Sequence, residues 1–442
     1  MRTFKQGVHP PQKKNLSKDM KIRRVPPSPR VILPLSQHTG APCKPLVSKG
    51  DMVKKGQLIG DSNAFISSPV HSSVTGKVSS IERLPHPVLG EGEAVVIETD
   101  EEDKTWLEDT QQSRDQDIDL SSLSPEDIRK RVREAGIVGL GGAAFPTHVK
   151  LTPPPGKIID TVILNGCECE PYLTSDYRIM LERSDDCLFG LKIIMKATGA
   201  KKGYIGIESN KRKAISLLRK IAQKEENIRV IPLKTKYPQG GEKMLIKAIL
   251  NREVPSGGLP LDVGVVVSNV GTAVAILEAI RFKKPLIERV ITVTGKVGNP
   301  SNLLVPIGTP ISYCIEQCGG LKEEASRIIM GGPMMGISQW TLDVPVVKGT
   351  SGILVLGKQD SISLKEEPCI KCSRCVDHCP MGLFPTILVK LVKGERWEML
   401  GDYSIMDCIE CGCCSYVCPS KIPLVQYIKL GKAEFKERYM KK

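Results

Sequence analysis

The chain has 442 residues, of which 40% are hydrophobic, 25% charged and only 4% aromatic, and its formal net charge is +14. This composition indicates a globular protein of about three or four domains. The few aromatic residues and the lack of a recognition motif argue against a nucleic-acid-binding protein. The sequence has no apolar run of about 18 residues and no secretory signal, so we expect a cytoplasmic protein without a membrane span.

The positive charge is spread along the chain rather than collected in one block. This distribution favours a solvated basic surface. Docking to an acidic partner or to an anionic membrane face is the second interpretation of the same charge.

Residues 1–105 predict an all-β unit, because short apolar runs alternate with glycine-bearing turns. The acidic, polar segment 100–125 predicts a linker. Ser124, Pro125 and Asp127 are favourable residues for a helix start. We therefore assign residues 106–135 to a linker and one helix.

From about residue 157 to 282, apolar strand-like runs alternate with helical patterns. Alternation of this kind predicts a parallel sheet with helices on its faces. Such sheets bind ligands at the carboxyl ends of their strands. Residues 136–286 are assigned to this α/β domain.

Polar, glycine-bearing segments follow three of the predicted strands, and a glycine-rich loop precedes the first strand. The strand ends are 165–171, 237–243 and 268–272, and the loop is 136–150. Gly139, Gly141 and Gly142 would let backbone amides approach a phosphate. Alone, such a loop is more often a plain turn. Three polar strand ends on one side of a sheet, however, predict a cofactor crevice.

Residues 287–357 return to β character with one helix, and residues 358–442 hold a cluster of cysteines. Nine of the 15 cysteines lie between Cys369 and Cys418. Two runs of the form C-x2-C-x2-C-x3-C-P begin at Cys369 and Cys408, and this is the bacterial two-cluster ferredoxin pattern. In that pattern the fourth cysteine of each run ligates the other cluster.

The cysteine spacing therefore predicts two [4Fe-4S] clusters with crossed ligation. The first uses Cys369, Cys372, Cys375 and Cys418, and the second uses Cys379, Cys408, Cys411 and Cys414. The alternative is a pair of zinc sites, since C-x2-C pairs also bind zinc. Cys413 falls outside the shared register, so we expect a small buried residue that is not a ligand.

Together these segments resemble the NADH-binding flavoprotein subunit of respiratory complex I. They resemble still more the RnfC family, the C subunits of the Rnf complex, an ion-pumping ferredoxin:NAD oxidoreductase. The resemblance covers nearly the whole chain. It rests on the segments 7–11, 139–150, 165–170 and 269–272 and on the two cysteine runs.

The resemblance implies a multidomain α/β and β architecture. Residues 1–105 would form a lipoyl-like barrel-sandwich hybrid, and residues 136–286 a Rossmann-like parallel α/β domain that binds FMN and NADH. Residues 287–357 would form an SLBB domain of the β-grasp type, and residues 358–442 a two-cluster ferredoxin-like α domain. Lipoyl carriers have a modifiable lysine at a hairpin tip. The matching stretch here, 67–73, has none, so we expect no swinging arm.

The resemblance also implies the residues that hold the cofactors. Amides of the loop formed by Gly139, Gly141 and Gly142 would bind the FMN phosphate. The other residues of the implied FMN and NAD(H) site are Phe145, Lys150, Asn165, Glu168, Glu170, Asp176, Glu242, Asn269 and Thr272. Within it, Lys150 would add a positive charge and Asn165 and Asn269 would hydrogen-bond the flavin. Glu168 and Glu170 would orient the nicotinamide nucleotide, with capping or salt bridging as the alternative role.

Two departures from the complex I flavoprotein stand out. That protein carries one cluster with a different cysteine spacing, whereas this chain has eight predicted ligands. Its Y-x-C-G-E-E segment corresponds here to residues 237–242, so the match at Glu242 is looser.

The implied function is that of a peripheral subunit that passes electrons between NAD(H), FMN and two [4Fe-4S] clusters. Its partners would be the other subunits of a membrane electron-transport complex and, indirectly, ferredoxin, and it would lie at the cytoplasmic face of the cell membrane. One alternative is a soluble flavin and iron–sulfur reductase of the cobalamin-reductase type. The other is an electron-wiring subunit that lacks a nucleotide site.

Overall fold

The structure is a computed structural model and describes residues 1–100, 119–360 and 365–440. Most of the predicted linker, residues 106–118, therefore lies outside the described residues. Among the described residues, no helix combines the length and apolar character that crossing a membrane requires.

The N-terminal unit consists of two small antiparallel sheets packed into a sandwich. The first has the strand order β2-β8-β7-β4 and the second the order β3-β5-β6. The strands are β1 (Ile22–Arg24), β2 (Arg30–Pro34), β3 (Lys44–Pro45), β4 (Met52–Val53), β5 (Leu58–Asp61), β6 (Val70–His71), β7 (Gly76–His86) and β8 (Gly90–Thr99). Strand β1 belongs to neither sheet, because it pairs in parallel with a strand of the third unit.

The second unit is a parallel α/β sheet with the strand order β11-β10-β9-β12. Its strands are β9 (Thr161–Gly166), β10 (Lys202–Glu208), β11 (Ile228–Leu233) and β12 (Val265–Asn269). Its helices are α1 (Pro125–Glu134), α2 (Thr147–Lys150), α3 (Ser175–Glu182), α4 (Ser184–Thr198), α5 (Arg212–Ala222), α6 (Glu242–Leu250) and α7 (Val270–Phe282). The predicted alternation of strands and helices is therefore confirmed.

Local sequence explains two of the helix boundaries. Helix α1 begins with a capping box, in which Ser124 Oγ accepts from the Asp127 N–H and the Asp127 carboxylate accepts from the Ser124 N–H. Helix α4 ends at Gly199, whose positive φ of 75° suits a residue without a Cβ. The sequence pattern from Tyr177 to Gly199 predicts one continuous helix, but the chain breaks at Arg183 into α3 and α4. Arg183 leaves helical geometry there and forms ion pairs with Asp186 and Glu278.

The third unit is a mixed sheet in the order β1-β14-β13-β17-β15-β16, with one short helix. Its remaining elements are β13 (Glu288–Gly295), β14 (Ser301–Pro306), α8 (Ile311–Glu316), β15 (Ala325–Met330), β16 (Ile337–Gln339) and β17 (Gly352–Gly357).

The last unit is helical and consists of α9 (Arg374–Asp377), α10 (Pro385–Lys393), α11 (Cys413–Val417), α12 (Leu424–Phe435) and a π-helical turn (Lys436–Met440). Short 3-10 helices cover Lys14–Leu16, Leu120–Ser122, Pro260–Val263, Trp397–Leu400 and Ile405–Asp407.

The sandwich and the α/β unit share one continuous hydrophobic core, which extends from Val31 to Ile307 along the chain. Smaller cores lie inside the mixed sheet and the helical unit. Shared apolar burial fixes the orientation of packed units. The crevice of the α/β sheet is therefore held in place against the N-terminal sandwich.

Candidate functional site

Two asparagines mark the carboxyl edge of the parallel sheet. Asn165 on β9 and Asn269 at the end of β12 are direct partners in the strand register. Because both strands run in the same direction, their polar ends open onto the same edge, where ligands of such sheets bind. This confirms that the predicted strand ends come together.

The glycine-rich loop lies against the start of α7. The Leu140 N–H donates to Thr272 Oγ1 at 2.9 Å, and the Gly139 N–H donates to the Phe145 carbonyl at 2.9 Å. A methyl group placed on Gly141 would lie 3.1 Å from Cβ and Nδ2 of Asn269. The loop and this asparagine are therefore in close contact, and a side chain at Gly141 would crowd Asn269.

The tip of this loop presents free hydrogen-bond donors. Gly141, Gly142 and Ala143 are exposed, and their N–H groups donate to no acceptor within the described part of the chain. A Cβ at Gly142 would meet no atom of the described residues within 4 Å. Exposed amides of successive glycine-rich residues suit an anionic phosphate. The donors at the loop therefore fit the phosphate of a flavin mononucleotide.

Asn269 connects the loop to a buried carboxylate. Its Oδ1 accepts from the Gly271 N–H at 2.7 Å and caps α7, while its Nδ2 donates to Asp176 Oδ2 at 2.7 Å. Burial raises the pKa of Asp176, and the hydrogen bond from Asn269 opposes this effect. Asn165 Nδ2 donates to the Gly240 carbonyl at 2.8 Å. The structure thus brings Asn165, Asp176, Asn269 and Thr272 to one edge.

Glu168 is an internal structural carboxylate in this structure. Its side chain is 4% exposed, and its Oε1 accepts from the Asp176 N–H at 2.7 Å. Its Oε2 is buried and has no hydrogen-bond partner among the described residues, although Lys14 Nζ lies 4.0 Å away. Burial raises the pKa of Glu168 to about 7, against the attraction of Lys14.

Glu170 joins the α/β unit to the mixed sheet. Its carboxylate accepts from the Met334 N–H at 3.1 Å and from the Met335 N–H at 2.8 Å. Burial raises the pKa of Glu170 to about 7, and these amide donors oppose the rise. Both glutamates expected at the nucleotide therefore already have protein partners.

Two lysines that the sequence did not single out bind the segment 167–173, which contains Glu168 and Glu170. Lys14 Nζ donates to the carbonyls of Glu168, Glu170 and Leu173 at 2.9, 2.8 and 2.6 Å. Lys211 Nζ donates to the Cys167 carbonyl. Lys14 lies about 150 residues before this segment in the chain, so no local sequence pattern indicates its role.

Lys150 and Glu242 form an ion pair, with 2.5 Å between Nζ and Oε1. Their side chains are 32% and 36% exposed. Lys150 ends α2, and Glu242 begins α6. Phe145 is half-buried at the other end of the glycine-rich loop. These three residues lie on segments next to the loop and strand ends but donate no hydrogen bond to Asn165 or Asn269.

The structure brings cysteines of the two motifs together in two places. Cys379, Cys408, Cys411 and Cys414 line one cavity, together with the buried non-ligand candidate Cys413. In the other group, Cys375 lies within electrostatic range of Cys372 and Cys418. Among residues 1–100, 119–360 and 365–440, no set of three or more His, Cys, Asp or Glu side chains is arranged to hold a single metal ion.

Family models match all four units of the chain. They are the RnfC barrel sandwich hybrid domain at residues 2–102, the Nuo51 FMN-binding domain at 132–278, the SLBB domain at 290–338 and the 4Fe-4S dicluster domain at 368–422. The fold and site therefore define a flavin and iron–sulfur electron-transfer protein. FMN and two [4Fe-4S] clusters are its cofactors.

Curated relatives narrow this class to one family. The chain is 50% identical over 98% of its length to the C subunit of the proton-translocating ferredoxin:NAD(+) oxidoreductase complex of Clostridium ljungdahlii, covering 94% of that protein. It is 46% identical over 98% of its length to the C subunit of the Na(+)-translocating complex of Acetobacterium woodii, covering 97% of that protein. The chain belongs to the RnfC family, the C subunits of Rnf complexes, as the sequence motifs predict.

A solved structure shows the same fold at low sequence identity. An NAD+-reducing [NiFe]-hydrogenase in the air-oxidized state is similar over 72% of this chain and 62% of its own chain, with a TM-score of 0.51 and 17% identity. At that identity the match supports the fold alone.

Proposed function

We propose that this chain is the NADH-binding electron-transfer subunit of a membrane-bound, ion-translocating ferredoxin:NAD oxidoreductase complex. The observation that carries the proposal is the meeting of the free loop amides, Asn165 and Asn269 at one sheet edge, in the same protein as two cysteine groups. The names of the relatives favour a member of a complex over a free-standing cobalamin-type reductase.

The loop amides of Gly141 and Gly142 would hold the FMN phosphate, and Lys150 would add charge to it when its ion pair with Glu242 rearranges. The side chain of Asn269, fixed by Asp176 and by the start of α7, would hydrogen-bond the flavin with little loss of conformational freedom. When bound, FMN accepts a hydride as two electrons and releases them singly, as iron–sulfur clusters require.

Glu168 and Glu170 would act on the nicotinamide nucleotide indirectly, by fixing the protein segments around its site. Glu168 fixes the start of α3, and Glu170 fixes residues 334–335 of the mixed sheet. The pKa of each carboxyl is raised to about 7, so the cost of keeping either one charged in this interior is high.

The exposed cysteines Cys369 and Cys372 would place one cluster near the surface of the protein, where it would exchange electrons with a partner subunit. The protein would sit at the cytoplasmic face of the membrane. Protease accessibility of the protein in inside-out and right-side-out vesicles tests this location, since only one orientation exposes that face.

The decisive experiment uses the full chain, purified anaerobically with its clusters intact. Flavin is released by acid and quantified, and NADH-dependent reduction of a one-electron acceptor is assayed on the same sample. We expect about one FMN per chain and NADH turnover. Clusters without FMN and without turnover, even after FMN is added back, would overturn the dehydrogenase assignment and favour an electron-wiring subunit.

A further inference from the structure

The two cysteine groups differ in their surroundings. Cys369 and Cys372 are exposed, whereas Cys411 and Cys414 are buried. We name the group of Cys379, Cys408, Cys411 and Cys414 the inner group, and the group of Cys369, Cys372, Cys375 and Cys418 the outer group. The inner group lies in a cavity whose other lining residues are mostly apolar, whereas the cavity beside Cys369 is also lined by charged side chains such as Glu366 and Lys393.

The second cysteine motif packs directly on the α/β unit. Asp407 accepts from the Gly257 N–H at 3.1 Å and from Ser256 Oγ, and Lys243 Nζ lies 3.8 Å from its carboxylate. A separate apolar cluster spans the boundary between the two units. It comprises Val8, Tyr237, Cys411 and Cys413, with Cys169, Met334, Ile409 and Val417 packed around it. The inner group is therefore the one next to the flavin crevice.

Tyr237 is the polar centre of this boundary. Its side chain is among the largest that are fully buried, with 1% exposure. Its hydroxyl donates to the Cys411 carbonyl at 2.9 Å, while Glu170 Oε1 lies 3.5 Å away. A phenol has a single hydrogen to donate, so the shorter contact to Cys411 takes it. The backbone of Tyr237 is also fixed, because Val8 and Tyr237 exchange N–H to carbonyl hydrogen bonds of 2.8 and 2.9 Å.

The segment that begins at Tyr237 reaches the flavin crevice at Gly240. The Gly240 carbonyl accepts from Asn165 Nδ2 at 2.8 Å, and the Gly240 N–H donates to Cys169 Sγ at 3.4 Å. The segment from Tyr237 to Gly240 thus contacts the strand-end asparagine on one side and a predicted cluster ligand on the other. Within the described residues, no hydrogen bond joins the segment 237–240 to a ligand of the outer group.

We propose that Tyr237 is a positioning residue that couples the flavin site to the inner cluster, so that this cluster exchanges electrons with the flavin before the outer cluster does. In that step one electron leaves the reduced flavin and the inner cluster becomes more negative by one charge. No bond to Tyr237 forms or breaks, and it gains or loses no proton. The hydrogen that Tyr237 donates to the Cys411 carbonyl would offset the partial negative charge of that oxygen, which favours the added electron on the cluster. This inference rests on the proposed cofactor sites but not on turnover with NADH.

The test is an EPR-monitored redox titration of the full chain with chemical reductant and mediators, which needs no NADH. The Tyr237→Phe variant removes the hydroxyl and retains the buried ring. We expect the ratio of reduced to oxidised inner cluster at a fixed potential to fall by about three- to tenfold, as for loss of one hydrogen bond. For a one-electron couple this is a shift of roughly 30–60 mV to lower potential. The outer cluster should keep its potential.

Tyr427→Phe is the matched control, because its hydroxyl contacts Glu366 at 3.3 Å in the same helical unit rather than a predicted ligand. We expect that variant to leave the inner potential unchanged. An unchanged inner potential in Tyr237→Phe, or an equal shift of both clusters, would overturn the proposal. A purely structural tyrosine would change stability without a shift confined to one cluster.

A second measurement covers the case in which Tyr237→Phe fails to fold or loses its cluster. Site-specific fluorotyrosine at position 237 keeps the hydroxyl and makes it a stronger donor, so the inner potential should rise. No rise would count against the proposal. Rapid mixing of the wild-type protein with NADH should then reduce the inner cluster first; outer-cluster reduction ahead of it would refute the proposed order. Failure of NADH to reduce either cluster would count against the proposed function instead, because the titration remains valid.

Discussion

Asn269 donates from Nδ2 to Asp176 Oδ2 at 2.7 Å while its Oδ1 caps α7 through the Gly271 N–H. One side chain thus joins the ends of two helices, α3 and α7, directly beneath the glycine-rich loop. Both ends of its amide are occupied, so Asn269 has little freedom to move. An atom that clashes with the Asn269 side chain must therefore disrupt the cap of α7 or break the hydrogen bond to Asp176.

Gly141→Ala should therefore weaken FMN binding. The new methyl group would lie 3.1 Å from Asn269 Cβ and Nδ2, a crowding that costs about 1–3 kcal/mol in packed sites. We expect the FMN content after purification to fall by about tenfold or more. Gly92→Ala is the matched control, because its methyl group would lie 3.5 Å from His86, an ordinary contact far from the loop. Equal flavin content in both variants would contradict the placement of the loop.

Lys150→Met separates stability from cofactor affinity. The pair between Lys150 and Glu242 is about one-third exposed on both sides, and such pairs contribute about 0–1 kcal/mol to stability. Loss of a charged donor to a phosphate costs about 1.5–3 kcal/mol. We expect a nearly unchanged unfolding midpoint and an FMN affinity at least tenfold lower in a fluorescence titration of the flavin-free protein.

The control for this prediction is Lys157→Met. Lys157 forms a similar half-exposed pair with Asp262, at 2.9 Å, away from the glycine-rich loop. Its removal should leave FMN affinity unchanged. If both lysine variants weaken FMN binding equally, the effect comes from general surface charge and not from a contact at the phosphate.

The crossed ligation predicts which cysteine variants share a phenotype. Cys379→Ser and Cys408→Ser should lose the same EPR signal, and Cys418→Ser and Cys372→Ser should lose the other. Cys413→Ser should retain both signals and the full iron content, because Cys413 lies in the inner cavity without being part of either predicted set. If Cys379→Ser and Cys372→Ser lose the same signal, each motif holds its own cluster and the crossed assignment is wrong.

Local patterns were enough to predict the parallel sheet and the four cysteines that line one cavity. Strand–helix alternation depends on the side-chain periods of 2 and 3.6, which are properties of neighbouring residues. Likewise, the motifs that begin at Cys369 and Cys408 are recognised from the spacing of neighbouring cysteines alone. The meeting of Asn165 with Asn269 followed from the parallel arrangement, because carboxyl ends share one edge.

Contacts between units had no such local signal. Lys14 binds three carbonyls of the loop around Glu170, and Glu170 in turn binds the Met334 and Met335 amides. A backbone carbonyl is the same acceptor at every position, so its partner leaves no trace in the sequence. The break at Arg183 was missed for a related reason. Arg183 forms a tertiary ion pair with Glu278 at the break, and tertiary contacts override helix propensity.

Lys348 provides a prediction about pH. Its side chain is 1% exposed and its Nζ donates to the Pro69 carbonyl at 2.6 Å and the Gly136 carbonyl at 2.7 Å, so it joins the mixed sheet to the sandwich and to the end of α1. Burial lowers the pKa of the Lys348 ammonium group from 10.5 to about 7. A neutral amine still has two hydrogens, which is enough for both carbonyls.

The direction of this pH dependence follows from the number of protons that the folded and unfolded states bind. Between about pH 7 and pH 10.5 the unfolded chain binds a proton at Lys348 that the folded protein has released, so the free energy of unfolding rises with pH over this window. The slope has an upper limit of about 1.4 kcal/mol per pH unit. Thermal midpoints of the wild type and Lys348→Met, measured anaerobically at pH 7, 8 and 9 at one scan rate, isolate this contribution. We expect the midpoint of the wild type minus that of the variant to increase with pH. A constant or falling difference would show that the folded protein keeps Lys348 charged across this range.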